Sequence, residues 1–195
     1  MPRQGWTQIV EPGTASVTDG AALTNTVTAT SILHATSKPQ LYSNFWWVGK
    51  EITVVASGRI STVVTTPGTL TLDLRLGPAD PPTIIAANGS AMSLNIVSKV
   101  NVPWTLRWEL TCKTIGNGTL ATLTHQGRWI SEAVIGAALP TVGGAGQHLL
   151  PNAAPGVGTG FNSTVGLFMD LFATWSVANA GNSIQVHRFK VIEEN

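Results

Sequence analysis

Charge is scarce in this sequence. Lysine, arginine, aspartate and glutamate make up 11% of its 195 residues, under half the ~25% of an ordinary globular chain. Eleven basic residues against ten acidic ones leave a formal net charge of +1, and no cluster of lysine or arginine stands out along the chain. Binding to nucleic acid needs a basic footprint that neutralises phosphates, so nucleic acid is not an expected partner. Cysteine occurs once, at Cys112, which excludes an intramolecular disulfide and any dependence of the fold on an oxidising compartment. The opening MPRQGWTQIVEPG lacks the apolar core of a signal peptide. No apolar run approaches the ~18 residues of a membrane-spanning helix, so no membrane partner is expected.

Catalytic wording is missing as well. The four histidines, His34, His125, His148 and His187, show no metal-ligand spacing, and HxH, HExxH and CxxC do not occur. There is no GxSxG elbow, no Walker loop and no GxGxxG following a strand. The run GVGTG at 156–160 has neither a following helix nor a lysine. Asp73 and Glu109 sit beside Arg75 and Arg107 on polar strand faces, where ion pairing explains them first. No catalytic, cofactor-binding or metal-binding residue is assigned, and an enzyme is not expected. The Asn-Gly-Ser, Asn-Gly-Thr and Asn-Ser-Thr triplets at Asn88, Asn117 and Asn162 are read as turn chemistry and not as glycosylation sites.

What the chain does contain is strand pattern. Leu70, Leu72, Leu74 and Leu76 alternate with Thr71, Asp73 and Arg75, the period of two of a strand with one buried face. The preceding run, 52–65, is rich in Val, Ile and Thr, which suit a pleated surface. Thr66-Pro67-Gly68 between them supplies turn residues, so Glu51 to Gly77 is expected to form a long hairpin. A second strand places Trp104, Leu106, Trp108, Leu110 and Cys112 on one face, and turns at Gly116-Asn117-Gly118 into residues 119–135. Cys112 is therefore read as a small core residue. Asn88-Gly89 predicts another hairpin turn. A last hairpin is expected over residues 165–192, with Val165, Leu167, Met169, Leu171, Ala173 and Trp175 alternating.

These elements predict an all-β fold: a jelly-roll-like antiparallel β-sandwich of about eight strands. Residues 1–20 form an N-terminal extended arm and residues 21–195 a single domain. Residues 136–163, dominated by Gly, Ala and Pro, are expected to be a long unpatterned loop with a functional or partner-bound role. The aromatic segment around Tyr42, Phe45, Trp46 and Trp47 reads first as a plug in the open end of the sandwich. Phe168 and Phe172 lie on the face of their strand opposite Leu167, Met169 and Leu171, and an exposed row of that kind invites burial between subunits. They are the candidate subunit interface.

Three segments, GKEITVVASGRISTVVTTPGTLTLDLRLG, NVPWTLRWELTCKTIGNGTLATLTHQGRW and VGTGFNSTVGLFMDLFATWSVANAGNSIQVHRF, resemble the small jelly-roll virion proteins of tailed bacteriophages. Head decoration, or cement, proteins are among these. The resemblance covers about Phe45 to Phe189 and rests on strand and turn wording. It implies a homotrimer on the outer capsid surface, assembled in the host cytoplasm, that clamps neighbouring copies of the major capsid protein and so stabilises the head. Candidate capsid contacts are Trp6, Ile9 and Val10 in the arm and Gln147, His148 and Leu149 in the loop. The alternative is a receptor-binding, carbohydrate-binding module of a phage tail or fibre, with sugars stacked on Trp46 and Trp47.

Overall fold

The structure, a computed structural model, describes residues 8–9, 18–136 and 147–194. In chain order its strands are β1 (Gln8–Ile9), β2 (Leu23–Thr24), β3 (Thr30–Ser31), β4 (Gln40–Leu41), β5 (Glu51–Thr62), β6 (Thr69–Gly77), β7 (Ile84–Asn88), β8 (Met92–Leu94), β9 (Lys99–Thr114), β10 (Thr122–Ile130), β11 (Val134–Gly136), β12 (Gln147–Leu150), β13 (Gly156–Val157), β14 (Leu167–Trp175) and β15 (Ser183–Glu193). One turn of 3₁₀ helix, Ala35–Ser37, separates β3 from β4. Six strands run nine residues or longer; the others have two to five. The short strands carry too few residues to show a period, which is why the sequence points to about eight.

Two antiparallel sheets pack against each other as a β-sandwich. The larger has the order β1-β15-β5-β9-β10-β12, with β2 also on β15 and β13 also on β10. The smaller has the order β11-β8-β6-β14-β3, with β4 also on β14 and β7 also on β6. The first long strand pairs with the last, β5 with β15, and the second with the penultimate, β6 with β14. This nesting is what makes the sandwich jelly-roll-like.

Both expected leucine and tryptophan faces form the core. Leu70, Leu72, Leu74 and Leu76 are fully buried, as are Trp104, Leu106, Trp108, Leu110 and Cys112 on β9. Each leucine removed from water contributes about 1.5–3 kcal/mol, so the β6 row contributes about 6–12 kcal/mol to the core. Trp104 stacks on Trp129 with ring centroids 4.8 Å apart, and Trp108 lies over Gly127, where a Cβ would come within 2.9 Å of its ring. Burial raises the pKa of the Cys112 thiol, so it behaves as the expected inert core residue.

The connections differ from expectation in three places. Residues 51–77 do not form a hairpin, because β5 joins the larger sheet and β6 the smaller. Residues 63–68 arch across the core end instead, with Gly68 at φ +79°. The expected hairpin over 165–192 is likewise an arch, from β14 in one sheet to β15 in the other. Alternation tells which face of a strand is apolar, and a sandwich lets both faces look inward from opposite sheets. The buried Asn182 side chain ties the two arches, donating to Pro67 O at 2.8 Å and accepting from Val63 N at 3.0 Å. Asn88-Gly89 is not a hairpin turn: β7 and β8 both pair with β6, one after the other along its edge. Gly89 N donates to Leu72 O at 2.8 Å and keeps the ladder going. The β9–β10 hairpin forms as expected.

The Gly/Ala/Pro stretch is the fourth difference. Residues 137–146 lie outside the described residues, but 147–163 is built structure. β12 and β13 add to the edge of β10, Gly158 N donates to Leu123 O of the larger sheet at 3.0 Å, and Thr159 N donates to Ile85 O of the smaller at 2.8 Å. The stretch staples the two sheets along one side. A Cβ on Gly158 would fall 1.9 Å from Ala86 O, and one on Gly160 would fall 2.0 Å from Thr119 O. Gly158 and Gly160 permit close approach of backbones, not looseness.

Candidate functional site

Trp46 is not available to stack a sugar. Trp46 is 3% exposed and makes edge contacts with Phe45 and Phe161, at centroid distances of 5.1 and 5.8 Å. It is the core plug that the first reading of the segment expects, and its place in the carbohydrate reading is lost. Trp47 is 41% exposed, but the Lys50 ammonium sits 3.6 Å from its ring centroid and 3.9 Å from that of Phe45. Lys50 is itself fully buried and ion-pairs with Glu193. Burial lowers its pKa, with Glu193 acting in the opposite direction. Trp47 thus serves as the outer wall around a buried cation.

Phe168 and Phe172 do not form an exposed apolar row. Phe172 is 6% exposed, with the Arg75 guanidinium 4.0 Å from its ring centroid, and Phe168 is half-buried. Their strand edge is taken by β3 and β4. Between those two strands Lys38 reaches in to Asp170 at 2.9 Å and Asp80 at 2.6 Å, while Ser31 Oγ donates to Asp170 Oδ1 at 2.9 Å. Burial raises the pKa of Asp170, opposed by Lys38 and Ser31. This cover comes from residues 30–41, an ordered segment whose short strands no periodicity reveals. The premise for a subunit interface here is overturned.

Among the candidate capsid contacts, Trp6 and Val10 lie outside the described residues, and Ile9 is described only as a backbone pairing with Ile192 on β15. Gln147, His148 and Leu149 form β12, the outer strand of the larger sheet, opposite Ile130, Trp129 and Arg128. Leu149 is 51% exposed. His148 is half-buried, and that burial lowers its pKa. Ile9 and the Gln147–Leu149 group therefore sit at opposite edges of one sheet.

The site that sequence reading misses is at the arched end of the sandwich. Val64, Ile96, Val97 and Val177 are all exposed there, on three loops that are distant in the chain. Thr65 N donates to Ile96 O at 3.3 Å, Leu94 N to Gly68 O at 3.1 Å, Thr69 N to Ser176 Oγ at 2.7 Å and Ser176 N to Thr69 O at 3.0 Å. These bonds hold a cleft of about 540 Å³ whose walls include Pro67, Leu94, Ile96 and Val177. Threonine and serine hydroxyls and backbone groups are its polar lining; no acid, base or thiol contributes. Such a surface recognises shape and apolar area. Only the folding of two arches and the 94–99 loop onto each other brings it together, so no local motif marks it.

Comparison with known protein families, curated proteins and solved structures finds no match to this chain.

Proposed function

We propose that the chain is a structural protein of a tailed-bacteriophage virion, bound to the outer capsid surface as a decoration protein that stabilises the head. Its partner in this reading is the major capsid protein, met during assembly in the host cytoplasm. The observation that carries the reading is the preorganised apolar cleft around Ile96 and Val177, which has the chemistry of a protein contact. The resemblance of three long segments to phage jelly-roll virion proteins supports it, and so does the low charge of the chain. Many copies on one lattice turn a modest contact into firm attachment through multivalency. A homotrimer over a local three-fold axis belongs to the same proposal, with contacts formed by surfaces other than Phe168 and Phe172. The carbohydrate-binding alternative is not carried further, because Trp46 is buried.

Sedimentation with phage heads stripped of decoration tests the reading. Wild-type protein is expected to pellet with the heads, and Ile96→Asp, which places a charge in the cleft wall, is expected to weaken that attachment about tenfold or more. Equal attachment of wild type and Ile96→Asp would remove the cleft from the account. Failure of the wild type to pellet would remove the capsid.

A further inference from the structure

Basic side chains, among them Arg59, Arg107, Arg128, Arg188 and Lys190, point outward from the larger sheet. No stretch of sequence clusters them; strand register does. Lys190 lies opposite Val55, Val55 opposite Arg107, Arg107 opposite Arg128, and Arg128 opposite Leu149. One transverse row thus crosses five strands, with neighbouring members about 4.8 Å apart in the pairing direction.

The middle of this row is electrostatically unfavourable as it stands. Like charges directly opposite each other on paired strands are destabilising, and Arg107 faces Arg128. Arg107 is partly answered by Glu109 at 3.1 Å and Glu194 at 3.4 Å. Among the described residues, Arg128 and Lys190 make no ion pair. The two arginines line a shallow cleft of about 330 Å³ with Glu109, Gln126, Gly127 and the exposed Leu149. Two guanidinium groups flanking a cleft offer more donors than Glu109 and Glu194 can use, in the fork geometry that suits a carboxylate.

We propose that this row is a docking surface for an acidic segment of a partner protein, with a carboxylate seated between Arg107 and Arg128. Leu149 and Val55, on either side of the arginine pair, take the aliphatic parts of the same segment. A nucleic acid fits less well. The next positions on the same face hold Glu51, Glu109 and Glu194 around Thr53 and Thr111; a short segment lying along the row with a single carboxylate between the arginines avoids them, whereas a phosphate backbone, charged at every unit, does not. The surface shares no residue with the apolar cleft, so it stands or falls independently of that contact.

The test uses the full chain and three labelled probes at low salt: a capped peptide of alternating glutamate and leucine, an oligothymidylate of equal charge, and heparin. The peptide is expected to bind most tightly. Arg128→Glu is expected to weaken peptide binding about tenfold or more, while its melting temperature stays equal to the wild type or rises, since a like-charge pair becomes an opposite one. That combination marks an arginine kept for a ligand and not for the fold. The proposal is overturned if wild type does not bind the peptide, if Arg128→Glu binds it undiminished, or if Arg128→Glu melts several degrees lower. Tighter binding of oligothymidylate or heparin would likewise overturn it in favour of a polyanion surface.

Discussion

His125 carries an unusual burden for a single side chain. It is 1% exposed, lies edge-on to Trp108 at a centroid distance of 5.8 Å, and sits under Gly156, where a Cβ would fall 2.5 Å from its ring. Neither ring nitrogen has a hydrogen-bond partner among the described residues. Burial pushes its pKa down to about 4, from an ordinary 6.5. Between those values the unfolded chain binds a proton that the folded chain refuses, so stability rises with pH across the window. It is fully present above pH 6.5 and lost as pH falls towards 4, by up to about 3 kcal/mol. Asp73 and Asp170, whose burial raises their pKa values, contribute a slope of opposite sign in the carboxylate range, and His148 adds a smaller one of the same sign as His125. Replacement by a core-compatible residue isolates the His125 share. Urea unfolding at pH 7 and pH 4.5 should show His125→Leu losing less stability than wild type on acidification. Identical losses in the two proteins would mean that His125 is not the responsible group.

At the scale of elements, the inward faces of β6, β9 and β14 were legible and their sheets were not. The period of two at Leu70–Leu76 and at Trp104–Cys112 follows from side-chain geometry within one strand, and the structure buries those same residues. Whether β6 pairs with β5 or crosses to face it depends on core packing far from either strand, and Thr66-Pro67-Gly68 suits both outcomes. The 147–163 stretch shows the same limit in another form. Its glycines are plain in the sequence, but the carbonyls of Ala86 and Thr119 that demand them come from elsewhere in the chain. The cationic row and the apolar cleft are products of register and arch packing, with Arg107 and Arg128 on different strands and Ile96 and Val177 on different loops. The staple makes a prediction at this scale. Gly158→Ala would drive a methyl group into the backbone of β7, and the shift needed to relieve it should cost about 2 kcal/mol, read as a lower melting temperature. An unchanged melting temperature would show that residues 158–159 do not bind the two sheets together.

The whole molecule presents a closed sandwich side, an arched end with an apolar cleft, and a sheet face with a cationic row. Among the described residues nothing covers the exposed Val64, Ile96, Val97 and Val177, which lie on loops already cross-bonded. Light scattering at micromolar concentration bears on assembly: the proposal expects a mass near three chains of 20.5 kDa, and a mass near one chain would remove the trimer. A head decoration protein must sit on the outer shell of the virion. A cryo-electron-microscopy difference map between heads carrying the protein and heads lacking it is expected to show the sandwich on the outer capsid shell, with the Ile96–Val177 end against the major capsid protein. Density confined to the tail, or a shell with no difference, would contradict it.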